Sequence, residues 1–192
     1  YLNTIKSKKN RNLKNKSNLA FYKSANTDVI GLIVEKISGK PLRHWMLRAV
    51  EAAGFEEGIY IASDRYGMPW MSGGGCLITR DFLRMGLLFA RKGKGVGNRR
   101  IGSASFLDQT VKNVGPKYMN LSENKYLYYS NSTMVSGNII GHSGYGGQFL
   151  AVNLKTGNVA AFFSVLETKS ATKESYKVDM INMLIDIVNN KY

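Results

Sequence analysis

Cysteine is almost missing from this sequence, and acidic residues are scarce. The single thiol, Cys76, excludes an internal disulfide and leaves a thiolate-built metal site without its ligands. Because it follows three glycines and precedes Leu77-Ile78, it is expected to be a small core residue rather than a nucleophile. Long apolar runs are missing too: none approaches the roughly 20 residues of a membrane span, and no signal-peptide core opens the chain. The shortage of acids, 13 against 27 basic residues, leaves a formal net charge of +14. That excess suits nucleic acid, acidic lipid or an anionic substrate, but net charge governs solubility and steering and defines no chemistry. Six of the bases (Lys6, Lys8, Lys9, Arg11, Lys14, Lys16) fall in the first 16 positions, where no acid occurs. Residues 1–20 therefore read as a basic, solvated loop or the tail of a preceding element.

The rest is ordinary globular material. With 192 residues, 44% hydrophobic and 21% charged, the chain has enough apolar mass for one cored domain, and no repeat or linker divides it after residue 20. From Thr27 the positions Val29, Ile30, Ile33, Val34 and Ile37 recur with helical spacing, which predicts a helix with those residues inward, Asn26 or Thr27 as N-cap and Gly39 as stop. A second helix has Pro41 in its first turn, Leu42, Trp45, Met46 and Val50 inward, and Gly54 at its end. Residues 58–62 suggest a short strand, and the three glycines 73–75 a tight passage under other structure. No Lys-Ser/Thr follows those glycines and no dinucleotide spacing is met, so a phosphate loop is disfavoured. Further helices are expected from Arg80, capped by Thr79, and from Ser103 or Ser105 to Val111. Residues 113–140 look loop-like and the pair 150–154 and 158–166 look like strands. A last helix opened by Ser170 or Thr172 would carry Tyr176, Met180, Ile181, Leu184, Ile187 and Val188 on one stripe.

Two stretches stand apart. One is Gly141-His142-Ser143-Gly144-Tyr145-Gly146-Gly147, with four glycines in seven positions running into the apolar strand 150–154. Glycine beside a strand marks a bulge or a close approach of backbone or ligand. The other is Phe21-Tyr22-Lys23-Ser24, directly before the first helix. Together they resemble the penicillin-recognising serine hydrolases, in the branch of class C beta-lactamases, related esterases and 6-aminohexanoate-dimer hydrolases. Tyr22-Lys23-Ser24 resembles the family's Tyr-x-Asn/Ser. Ile30-Gly31-Leu32-Ile33-Val34-Glu35-Lys36-Ile37-Ser38-Gly39 resembles its following helix, and Gly73-Gly74-Gly75-Cys76-Leu77-Ile78-Thr79-Arg80-Asp81 its triple-glycine passage. His142-Ser143-Gly144 resembles its third catalytic motif. Lys155-Thr156-Gly157 spells that motif literally, but it lies between two strands, where Thr-Gly is ordinary turn chemistry.

The resemblance implies an α+β fold, an antiparallel sheet flanked by helices with a helical subdomain, and residues 21–192 as the C-terminal portion of such a domain, its N-terminal part absent. It implies acyl transfer to a serine followed by hydrolysis of a small amide or ester. In it Tyr22, Ser24 and His142 would be catalytic. Ser143, Gly144 and Tyr145 would bind substrate, with the Tyr145 N–H as half of an oxyanion hole. No cofactor, metal or nucleic acid is implied, and a periplasmic or secreted location is favoured over a cytoplasmic one. The departure is the nucleophile: the family's Ser-x-x-Lys lies upstream of the tyrosine, and residues 1–21 hold none. The literal matches at Ser122–Lys125 and Ser170–Lys173 lie downstream and are read as chance. The nucleophile is thus expected in a preceding segment of the same domain, without which the chain would be inactive. The reading of another class is a non-catalytic basic module for nucleic acid or an anionic surface, which would show a contiguous Lys/Arg face interleaved with aromatics.

Overall fold

The computed structural model describes residues 19–20, 22–118, 125–126, 128–165 and 175–191. The basic stretch to residue 18, Phe21, residues 122–124 and 170–173, and Leu166 lie outside the described residues.

Five strands form a sheet in which each pairs antiparallel with the next: β3 (Tyr128–Ser130), β4 (Thr133–Ser136), β5 (Ile139–Ser143), β6 (Gln148–Asn153) and β7 (Val159–Phe163). A separate two-stranded sheet pairs β1 (Tyr60–Ile61) with β2 (Gly75–Cys76). The large sheet is covered on both faces, and strand alternation sorts its side chains cleanly. Tyr128, Val135, Ile140, Val152 and Val159 lie abreast on the face that packs on α3 (Thr79–Ala90) and α4 (Ala104–Lys112). Tyr129, Met134, Gly141, Ala151 and Ala160 lie abreast on the other face, under α5 (Ser175–Val188). The fold is α+β, as the sequence led us to expect.

Beyond α3 lie α2 (Leu42–Ala53) and, against α2, α1 (Ala25–Ser38). Three residues of the first helix segment build the joint between these two. Glu35 accepts the Leu42 N–H at 2.7 Å, supplying the helix start that Pro41 cannot cap. Ser38 accepts from the Trp45 indole at 2.8 Å. Gly39 ends α1 in the left-handed region, φ 63°. Gly31 lets α2 approach: a Cβ there would stand 2.7 Å from Leu42 Cδ2.

Several expectations need correction. Residues 113–140 are not one loop, because β3 and β4 fill its second half. Each is only three or four residues long, too short for alternation to stand out. The Asn131-Ser132 turn joining them, φ 47° and 62°, lacks the glycine that usually announces such a hairpin. The helix starting near Thr27 exists, but α1 begins at Ala25, and neither Asn26 nor Thr27 is its N-cap. Its buried positions are Asp28 and Gly31, while Val29, Ile30, Ile33 and Ile37 are exposed. Asp28 is drawn inward because its carboxylate accepts the Ser72 N–H at 2.9 Å, which turns the apolar stripe outward. In α5 the buried face is Lys177, Val178, Ile181, Leu184, Ile185 and Val188, and Ile187 points out. Thr79 opens α3 without capping it, Ile78 being the N-cap residue. Cys76 is exposed rather than in the core, because β2 pairs only with the surface strand β1. Gly73–Gly75 are likewise exposed, and the need for glycine there is conformational, Gly74 having φ 78°.

Candidate active site

β5 is the central strand, and its last residues are His142 and Ser143. Residues 144–147 then turn the chain into β6. Gly144 N–H donates to the Gln148 carbonyl at 2.6 Å, and Gly146 and Gly147 take φ 95° and 109°, values that side-chain-bearing residues rarely adopt. The Gly147 carbonyl accepts from both the N–H and the hydroxyl of Ser164, at 2.9 and 3.0 Å, which pins the turn to the residue after β7. Tyr145 stands at the tip, 74% exposed. The glycines thus make a tight turn, tied on one side to β6 and on the other to the end of β7. Gly141 serves a different purpose: a Cβ there would collide with the hydroxyl of Tyr126, which is buried beneath β5 on the α5 face. Burial, and then the neighbouring Tyr118, push the Tyr126 phenol pKa up, so it stays a neutral hydroxyl.

His142 lies opposite Leu150 and, by alternation, points to the α3 and α4 face. Crowding of the imidazole by protein atoms lowers its pKa, although the residue as a whole keeps contact with water. The ring is therefore a neutral, accessible imidazole near pH 7. Ser143, half-buried, lies opposite Phe149.

Tyr22 and Ser24 sit elsewhere along the sheet. An Ala20 N–H bond to Lys117 and a bridge from Lys117 to Tyr128 bring residues 19–20 alongside the β3 edge. Tyr22, 60% exposed, meets Tyr129 edge to face with ring centres 6.3 Å apart. Tyr129 stacks on Tyr118 at 5.5 Å, and the Tyr118 hydroxyl lies 3.5 Å from the ammonium of the buried Lys177. Burial first, then Tyr22 and Tyr118, push the Tyr129 pKa up to about 12. The Ser24 carbonyl accepts the Thr27 hydroxyl at 2.6 Å, but its own hydroxyl is exposed and makes no capping bond. The structure thus brings His142, Ser143, Gly144 and Tyr145 together at one turn, and Tyr22 to an aromatic group on the α5 side. No described contact joins Tyr22 to His142. The sequence did not reveal Tyr118, Tyr129 and Lys177 as neighbours of Tyr22, because that contact is tertiary and leaves no local spacing. Lys155–Gly157 form the exposed β6–β7 turn, with the Lys155 and Thr156 N–H groups donating to Asn153 Oδ1 at 3.0 and 3.2 Å, far from a role in this site. Among the described residues no three His, Cys, Asp or Glu side chains converge to hold a metal.

The covered antiparallel sheet, the glycine-tight turn after its central strand and the helices stacked on one side form a fold shared with β-lactamase-like solved structures. Many solved structures share that fold, among them two named for hydrolytic enzymes. One is a candidate 6-aminohexanoate-dimer hydrolase from Bacillus anthracis, with TM-score 0.69 and 24% identity over 90% of this chain and 44% of that one. The other is a candidate beta-lactamase from Bacteroides dorei DSM 17855, with TM-score 0.59 and 18% identity over 88% of this chain and 58% of that one. The chain thus spans less than two thirds of either. No family model matches it, and no curated protein does.

Proposed function

We propose that this chain is part of a β-lactamase-related serine hydrolase that cleaves a small amide or ester through an acyl-serine intermediate, its nucleophile supplied by polypeptide outside these 192 residues. The observation that carries the reading is the joint placement of two things: a fold match over 90% of the chain, and His142-Ser143-Gly144 at the end of the central strand of that fold. In this reading a serine attacks the substrate carbonyl, and the leaving group departs with a proton. Water then cleaves the ester. Tyr22 would act beside a lysine ammonium that comes with the nucleophile and favours proton relay through the phenol. Ser24, whose hydroxyl is uncommitted to the helix, would bond that ammonium or the substrate amide. His142, neutral and accessible, would orient the tyrosine hydroxyl or the substrate. The Tyr145 N–H, at the exposed tip of a tied turn, would receive developing negative charge together with the serine's own N–H. Tyr22 must leave or extend its Tyr129 contact to reach that place, and the entering polypeptide is what would reposition it.

The test is the product of the whole gene, assayed with p-nitrophenyl esters and small amides and labelled with a fluorophosphonate. We expect a labelled serine outside residues 1–192, and turnover lowered by about 10²–10⁴ in Tyr22→Phe, the range for loss of a proton-transfer group, and by about 10² in His142→Ala, the cost of misplacing a reacting group. Absence of label, or full turnover in both variants, would count against the reading.

A further inference from the structure

α1 buries its polar face and shows water its apolar one. Asp28 and Gly31 face α2 and residues 68–72, whereas Val29, Ile30, Ile33 and Ile37 are 39, 50, 49 and 82% exposed. Spaced i, i+1, i+4 and i+8, they form one stripe over two to three turns. Single exposed apolar side chains are ordinary, but a continuous stripe marks a surface made to be covered. A second open surface lies far along the sheet: β7 is its last strand among the described residues, and its outer edge is unpaired there. The matched structures extend well beyond the region shared with this chain, so the same fold contains further polypeptide. A second copy fits worse, since it would bring another +14 against this chain's own +14.

We propose that the α1 stripe is the seat of an apolar-faced helix belonging to the remainder of this fold, in a longer product of the same gene. The inference rests on the hydrolase reading in placing that polypeptide beside Tyr22 and Ser24, which lead into α1. It is tested by placing the photocrosslinker p-benzoylphenylalanine at Ile33 and, separately, at Ile37 in the full gene product made in its own host. Among the described residues Ile33 is half exposed and Ile37 mostly so, and the probe leaves the packing of α1 on α2 in place. The expected result is an intramolecular crosslink from each position to a peptide encoded outside residues 1–192. A crosslink to the 25–38 peptide of a second copy, a crosslink to an unrelated protein, or no crosslink at all would overturn the proposal. Fluorophosphonate labelling of the same samples separates the two readings. Label without the crosslink removes the seat alone, and the crosslink without label keeps the seat and removes the hydrolase.

Discussion

Asp81 has no exposed surface and gathers three donors: the Glu56 N–H at 2.9 Å, the Glu57 N–H at 3.0 Å and Arg84 at 2.9 Å. Arg84 also pairs with Glu56. Burial by itself would raise the Asp81 pKa; the backbone N–H bonds and Arg84 outweigh it and bring the value below the ordinary carboxylate. Arg84 and Glu56 remain partly open to water, so this is a covered carboxylate near the surface and not a deep ion pair. Its folded pKa lies below the unfolded one. The linked stability is therefore complete above about pH 3.9 and is lost as pH falls through the folded value. Asp81→Asn removes the charge and turns an amide N–H toward a backbone N–H. We expect a loss of about 2–3 kcal/mol at pH 7, read as a lower urea midpoint, with the gap to wild type closing below about pH 3.9. An unchanged midpoint at pH 7 would show that the residues 56–57 do not depend on this anchor. The sequence showed Asp81 only as the last residue of the triple-glycine passage, at the start of a helix. Its long-range partners, some 25 positions away, carry no local signal.

Elements were more legible than their orientations. Periodicity located α1, α2, α3 and the strand pair β6 and β7, because each is long enough for spacing or turn chemistry to show. Which side of α1 faces inward was not legible, since an apolar stripe says that something covers it without saying that the cover belongs to this chain. Gly86 illustrates a helix whose facing is set by closeness. It lies in α3 against β6 and β7, where an added Cβ would collide with a Val159 methyl and stand 3.0 Å from Leu150 Cδ1. In an exposed helix Gly→Ala gains about 1 kcal/mol of propensity. Here Val159 is β-branched and paired in the sheet, so it has little freedom to yield. We expect Gly86→Ala to destabilise the chain by about 1–2 kcal/mol, overpacking outweighing propensity. A Tm at or above wild type would mean that α3 slides outward at little cost.

At the scale of the whole molecule, two forces oppose each other over distance. The charge of +14 repels like chains across a Debye length of about 10 Å at 0.1 M salt, shrinking to about 3 Å at 1 M. The exposed stripe of α1 and the edge of β7, unpaired among the described residues, attract only on contact, and salting-out ions strengthen that attraction. The 192-residue chain is therefore expected to stay dispersed in dilute buffer and to associate as sodium sulfate is added, opposite to a protein held together by ion pairs. Stripe against stripe or edge against edge closes as a symmetric pair whereas stripe against edge does not, so the products should be a mixture of dimers and larger species rather than a single dimer. Sedimentation velocity across a salt series, with dye binding at low salt, reads both parts. The double substitution Ile33→Lys with Ile37→Lys should move the onset to higher salt and reduce dye binding with little change in Tm, because Ile37 is mostly and Ile33 half exposed. A salt-independent monomer that binds no dye would show that these apolar residues are covered from within, and that the described 19–191 portion carries no surface awaiting a partner.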